Sequence, residues 1–217
     1  MIVDKVYGNT VVKIQCEDES IYKNKLLMES VEQVYTSPVV TKRVRETVGD
    51  SQKGTGLTTV GQPYPLISLP GASKLEEWMT EQFLSVKDIL GCSDKGNKVF
   101  FKRSWTNRMF YGAFGHVHQH VRIDNYIKNL TGYDDENFCP DAVGILYVNV
   151  PENSSNLVFV KDGQPDLPVE YFNQEDTTWL KPEQGMLVIH SPEVWHGVSK
   201  HLSDIPRDVF VFDIDYV

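Results

Sequence analysis

The segment "GHVHQH" at residues 115–120 places His116, His118 and His120 at every second position, half of the six histidines in a chain of 217 residues. In an extended strand alternate side chains share one face, so the three imidazoles form a single stripe; a helix would scatter them. Imidazole binds iron, zinc, copper and nickel. Either neighbouring pair, 116/118 or 118/120, can grip one ion, and His118 belongs to both. A further histidine, His196, lies far downstream in "IHSPEVWHGVSKH", residues 189–201. A short-spaced pair plus one distant histidine is how a jelly-roll builds a metal site, and three ligands leave coordination positions open for chemistry. His190 and His201 read as structural residues, the first at a strand end and the second in the polar loop "KHLSDIP".

A site assembled this way needs strands. From residue 98 the runs "KVFFKRSW", "RMFYGAF", "AVGILYVNV", "NLVFV", "GMLVIH" and "DVFVFDIDY" are short, β-rich and separated by turns. The polar insertion at 121–141 interrupts them. Upstream, residues 17–35 predict a helix with acids at its start. Residues 73–90 predict a second helix, with Ser73 and Glu76 as a capping box and Gly91 as its stop. Leu75, Trp78, Met79, Phe83, Val86, Ile89 and Leu90 share its apolar face. Residues 40–63 are polar and glycine-rich and read as a loop. Helices first and strands afterwards predict a mainly β protein with N-terminal helices, a jelly-roll or cupin-like double-stranded β-helix. We expect a single domain over 1–217, with a helical support region at 1–97 and the jelly-roll core at 98–217.

Composition narrows the function classes. A net charge of −9 argues against a nucleic-acid or anionic-membrane binder. Cys16, Cys92 and Cys139 are scattered and odd in number, which points to reduced thiols in the cytoplasm. There is no signal-peptide pattern and no apolar run near the ~20 residues of a membrane span. A homodimer is the default oligomer.

Five pieces in order resemble the iron(II)/2-oxoglutarate-dependent oxygenases, and among them a branch common in phages and marine bacteria. They are "SWTNRMFYG", "HQH", "GILYV", "KPEQGMLVIHSPEVWHGV" and "PRDVFVF", spanning residues 104–212, with "GLTTV" and the amphipathic helix upstream. The resemblance implies Fe(II) as cofactor and 2-oxoglutarate as co-substrate, and a hydroxylase acting on a small-molecule or peptide substrate in the cytoplasm, the host's if the gene is a phage's. It implies His196 as the distal metal ligand and Arg207 as the residue that pairs with the C5 carboxylate, a task suited to a guanidinium with its two parallel donors. Tyr147 and Asn107 would line the co-substrate pocket. The wider superfamily uses His-x-Asp or His-x-Glu, whereas this chain has histidine at the second position whichever pair is taken. Asp124, the nearest acid, would sit ~13 Å beyond His120 on a continuous strand. The branch places a glycine six residues before its first ligand histidine, as Gly112 stands before His118. We therefore expect His118, His120 and His196 as ligands and His116 as a pocket residue. A His-only cupin-like metalloenzyme that does not use 2-oxoglutarate, or a non-catalytic jelly-roll binding module, are the rival readings.

Overall fold

A computed structural model describes residues 1–37, 56–59, 65–121, 139–164 and 167–217. The expected loop at 40–63 lies mostly outside these residues, as do Asp124 and nearly all of the insertion at 121–141.

Eleven strands make two sheets among the described residues. They are β1 (Ile2–Val6), β2 (Asn9–Gln15), β3 (Gly56–Thr58), β4 (Val99–Met109), β5 (Gly115–His118), β6 (Ala142–Asn149), β7 (Leu157–Val160), β8 (Thr177–Leu180), β9 (Met186–His190), β10 (His196–Val198) and β11 (Arg207–Tyr216). The larger sheet has the order β1-β2-β9-β6-β11-β4-β3 and the smaller β5-β10-β7-β8, with every pairing antiparallel. The two sheets face each other across a shared interior, the arrangement of a double-stranded β-helix.

The period-2 pattern of β6 and β11 explains this layering. Ile145, Tyr147, Val209 and Val211 point between the sheets and meet Leu157 and Phe159 of the small sheet, Val188 of β9 and Trp105 of β4. Leu146, Val148, Phe210, Phe212 and Ile214 point the other way, against the helices. Each of these strands is therefore apolar on both faces, as a middle layer must be.

Among the described residues, three helices lie against the outer face: α1 (Glu19–Tyr22), α2 (Lys25–Thr36) and α3 (Ser73–Val86). The single helix expected over 17–35 is broken in two. Asn24 turns extended, and its side chain accepts a hydrogen bond from the Leu27 amide at 2.9 Å, capping α2. Ser73 is the first residue of α3 rather than its cap: the cap position is Ala72, with no side-chain bond, so the capping box does not form. Leu75, Met79, Phe83 and Val86 are buried as the apolar stripe requires. Phe83 packs so closely on β6 that a Cβ on Gly144 would lie 2.7 Å from its ring.

Strands also form before residue 98. The hairpin of β1 and β2 adds an edge to the large sheet, turning through Tyr7 and Gly8, both at positive φ. "IVDKV" and "NTVVKIQ" around that turn carry β-branched residues suited to pleated pairing. Strand β2 then pairs with β9, which carries His190 at its end.

Candidate metal centre

The register of the small sheet brings two of the histidines together. Strands β5 and β10 run antiparallel with His118 directly opposite His196. Their ring centroids are 4.4 Å apart. The strand hydrogen bonding of β5 stops at His118, but the chain continues far enough for the His120 amide to donate to the Pro192 carbonyl at 2.9 Å. His120 is thereby turned between the sheets, with its ring 5.2 Å from that of His196 and 5.3 Å from that of His118. One nitrogen from each of His118, His120 and His196 lies within 4.8 Å of the other two. His116 is exposed and packs edge-on against Phe114 at 5.1 Å.

Hydrogen bonding sets which nitrogen each ring can offer. Nδ1 of His118 donates to the His116 carbonyl at 2.8 Å, and Nδ1 of His196 to the Val194 carbonyl at 3.0 Å. Nδ1 of His120 meets Oδ1 of Asp213 at 2.6 Å. Carbonyl and carboxylate oxygens accept, so each of these Nδ1 atoms carries the proton and Nε2 is the nitrogen that can bind a cation. Ligand histidines are held in this way when the other ring nitrogen is engaged by a carbonyl or carboxylate. The donor set fits a divalent transition metal, whose bonds to nitrogen of about 2.1 Å small ring rotations would satisfy.

Burial favours the neutral rings that such binding requires. His196 is pushed well below the ordinary histidine range by burial, then by the neighbouring His118. A fourth imidazole, His190, stands 4.8 Å from His196, ring to ring. Burial lowers its pKa to about 3. Its Nδ1 donates to the Ser191 carbonyl at 2.7 Å, and its buried Nε2 has no partner among the described residues. His190 lies at a strand end as expected, yet it also belongs to the wall of this site.

Asp213, on the inward face of β11, is fully buried. Burial alone would raise its pKa, but His120 and Arg103 outweigh that and hold it below the usual carboxylate range. Arg103 stands directly opposite on β4 and donates from Nε at 2.7 Å and from Nη2 to the Oδ2 oxygen. Sequence reasoning missed both residues. The signal available was an acid at an inward position, in step with Val209 and Val211.

Arg207 opens the same inward face of β11, six residues before Asp213. It is 2% exposed. Nη1 donates to Ser155 Oγ at 2.8 Å and lies 3.1 Å from Met109 Sδ; Nε has no partner among the described residues. The guanidinium sits 4.9 Å from the centre of the Tyr147 ring; the buried Tyr147 hydroxyl is close enough to interact with it but makes no well-aligned hydrogen bond among the described residues. Burial raises the pKa of Tyr147 and lowers that of Arg207. The neighbouring carboxylate, Asp208, is taken by Arg108 at 2.7 Å. Asn107 is half-buried, paired across to Val209 and spaced between Trp105 and Met109 on the inner face of β4. Three histidine nitrogens that could hold a metal thus stand in one part of the interior, and a buried cation with spare hydrogen-bonding capacity stands in another.

No protein-family model matches the chain, and no curated protein does. Solved structures are similar in fold. HygX from Streptomyces hygroscopicus, solved with nickel, 2-oxoglutarate and hygromycin B bound, matches with a TM-score of 0.56 at 10% identity, over 95% of this chain and 83% of that one. The viral collagen prolyl hydroxylase of Paramecium Bursaria Chlorella virus-1, in complex with 2-oxoglutarate, matches at 0.51 and 14% identity, over 95% and 96%. Against an oxidoreductase of the 2OG-Fe(II) oxygenase family from Burkholderia pseudomallei, the chain spans 58% of that protein's length, with 69% of its own covered, 16% identity and a TM-score of 0.46. The first two likenesses establish the double-stranded β-helix as the fold of this chain.

Proposed function

We propose that the chain is an iron(II)- and 2-oxoglutarate-dependent oxygenase, a hydroxylase of a small-molecule or peptide substrate. The observation that carries this reading is Arg207. A guanidinium this deeply buried, with no ion-pair partner among the described residues, is costly, and an anion that comes to it repays that cost. Its Nε and the Tyr147 hydroxyl, neither holding a well-aligned hydrogen bond among the described residues, offer donors to one carboxylate. A ligand with one carboxylate for Arg207 and Tyr147 and a metal-chelating end for His118, His120 and His196 would use both sets of groups, and 2-oxoglutarate has both.

Iron(II) held by the three Nε2 atoms would supply, with 2-oxoglutarate and dioxygen, the oxidising chemistry, the 2-oxoglutarate leaving as succinate and carbon dioxide. The chain's own residues bind and orient. Arg207 fixes the far carboxylate, Ser155 holds the guanidinium in place, and Trp105, Ile145, Val209 and Val211 keep water from the space between. Asn107 would add a polar contact along the co-substrate. A His-only metalloenzyme working without 2-oxoglutarate draws support from the absence of a carboxylate in the ligand cluster among the described residues, but it gives Arg207 no task. The three free thiols support a reducing, cytoplasmic setting, and no helix among the described residues is long and apolar enough to cross a membrane.

Replacing Arg207 with Leu tests the reading. A charge-assisted pair is worth ~1.5–3 kcal/mol, so 2-oxoglutarate should bind one to two orders of magnitude more weakly while metal content holds. An unchanged dissociation constant would remove Arg207 from the co-substrate site.

A further inference from the structure

Three neutral imidazoles bring a divalent ion no negative charge. Of the acceptors that hold them, two are neutral carbonyls, those of His116 and Val194. Among the described residues, His120 leans on a carboxylate, and that carboxylate comes from the opposite sheet. Asp213 is buried completely, and its two oxygens divide their work: Oδ1 takes the His120 Nδ1 proton, and Oδ2 takes both donors of Arg103. The Arg103 guanidinium lies 5.3 Å from the Trp105 ring centre, and Trp105 stacks on His120 at 6.0 Å and 22°. His120 is therefore fixed on its edge by Asp213 and on its faces by Trp105 and His196.

We propose that Asp213 is the positioning residue of this metal site: it locks His120 in the tautomer that offers Nε2, and passes negative charge through that ring in place of a carboxylate ligand. This rests on the reading of His118, His120 and His196 as metal ligands. A hydrogen bond to an anion is stronger than one to a carbonyl and makes the far nitrogen a better donor to a cation. Arg103 stabilises the buried anion, and because its side chain reaches solvent while Asp213 does not, water screens the arginine more than the carboxylate. Among the described residues, the carboxylate that the all-histidine motif lacks stands on β11, one hydrogen bond behind His120.

The test is anaerobic titration of the full chain with cobalt(II), read by its visible absorption and by competition with a chelator. Wild type should take up one cobalt per chain. Asp213→Asn should bind it 10- to 100-fold more weakly, the range seen when the group behind a ligand histidine is removed, with a shifted cobalt spectrum. Asp213→Asn also takes the buried carboxylate away from Arg103 and puts folding at risk, so the double variant Arg103→Met/Asp213→Asn, which removes both members of this ion pair, is the second arm and should show the same loss. A residue that only stabilises the fold would lower the metal-free melting temperature and leave cobalt affinity alone. If wild type binds cobalt and a folded variant binds within twofold of it, the proposal is overturned while the metal site stands. If wild type binds none, the metal reading itself falls.

Discussion

His190 allows a prediction whose size follows from its surroundings. The ring is fully buried, and burial holds its pKa near 3. An unfolded histidine titrates near 6.5. The folded value is the lower one, so as pH falls the unfolded chain takes up the proton first. The contribution of His190 to stability is complete above about pH 6.5 and is lost progressively between there and about pH 3. Each pH unit inside that window removes about 1.4 kcal/mol, so going from pH 7 to pH 5 removes about 2 kcal/mol. Other groups titrate over the same range, and a His190→Leu variant subtracts them. Urea unfolding of chelator-treated wild type and variant at the two pH values gives the number directly. Wild type should lose about 2 kcal/mol more than the variant. A difference under about 0.5 kcal/mol, the usual error of additivity, would mean that His190 is not held neutral and that the interior beside His196 is wetter than described.

Alanine at His118, His120 or His196 should each lower iron affinity by well over tenfold, whereas His116→Ala should keep the metal; elemental analysis after anaerobic loading decides, and iron retained by His120→Ala would move the pair to 116/118. Gly144→Val should cost about 1–3 kcal/mol in denaturant unfolding, because its Cβ would press on Phe83 and Met79. An unchanged midpoint would show that α3 can shift off the sheet.

The jelly-roll was legible because its strands are short β-rich runs separated by turns and three histidines alternate along one of them. His118 and His196 could be named because strand alternation and a distal histidine are local signals. Their exact opposition in β5 and β10 is a matter of register, which neither run reveals alone. The hairpin of β1 and β2 went unread for a similar reason: its value lies in pairing with β9, a partner far away in sequence. Asp18 and Asn24 each cap a short helix, and the acids and apolar residues around them blur into one helical stripe. Asp213 was hidden by its company. In "VFVFDIDY" Asp213 keeps step with Val209 and Val211, but an acid suggests an exposed position, and only the central place of β11, between β4 and β6, shows that this face is buried. His190 was passed over because a histidine ending a strand has an ordinary structural explanation, and its orphaned Nε2 is visible only in three dimensions.

In the proposed function, one interior holds both a metal and 2-oxoglutarate. Anaerobic addition of 2-oxoglutarate to the iron(II)-loaded chain, followed by visible absorption, tests it most directly. The account predicts a weak metal-to-ligand band that saturates at one equivalent per chain and fails to develop at the same concentrations in Arg207→Leu. Iron bound at full occupancy with no band and no 2-oxoglutarate binding would contradict it.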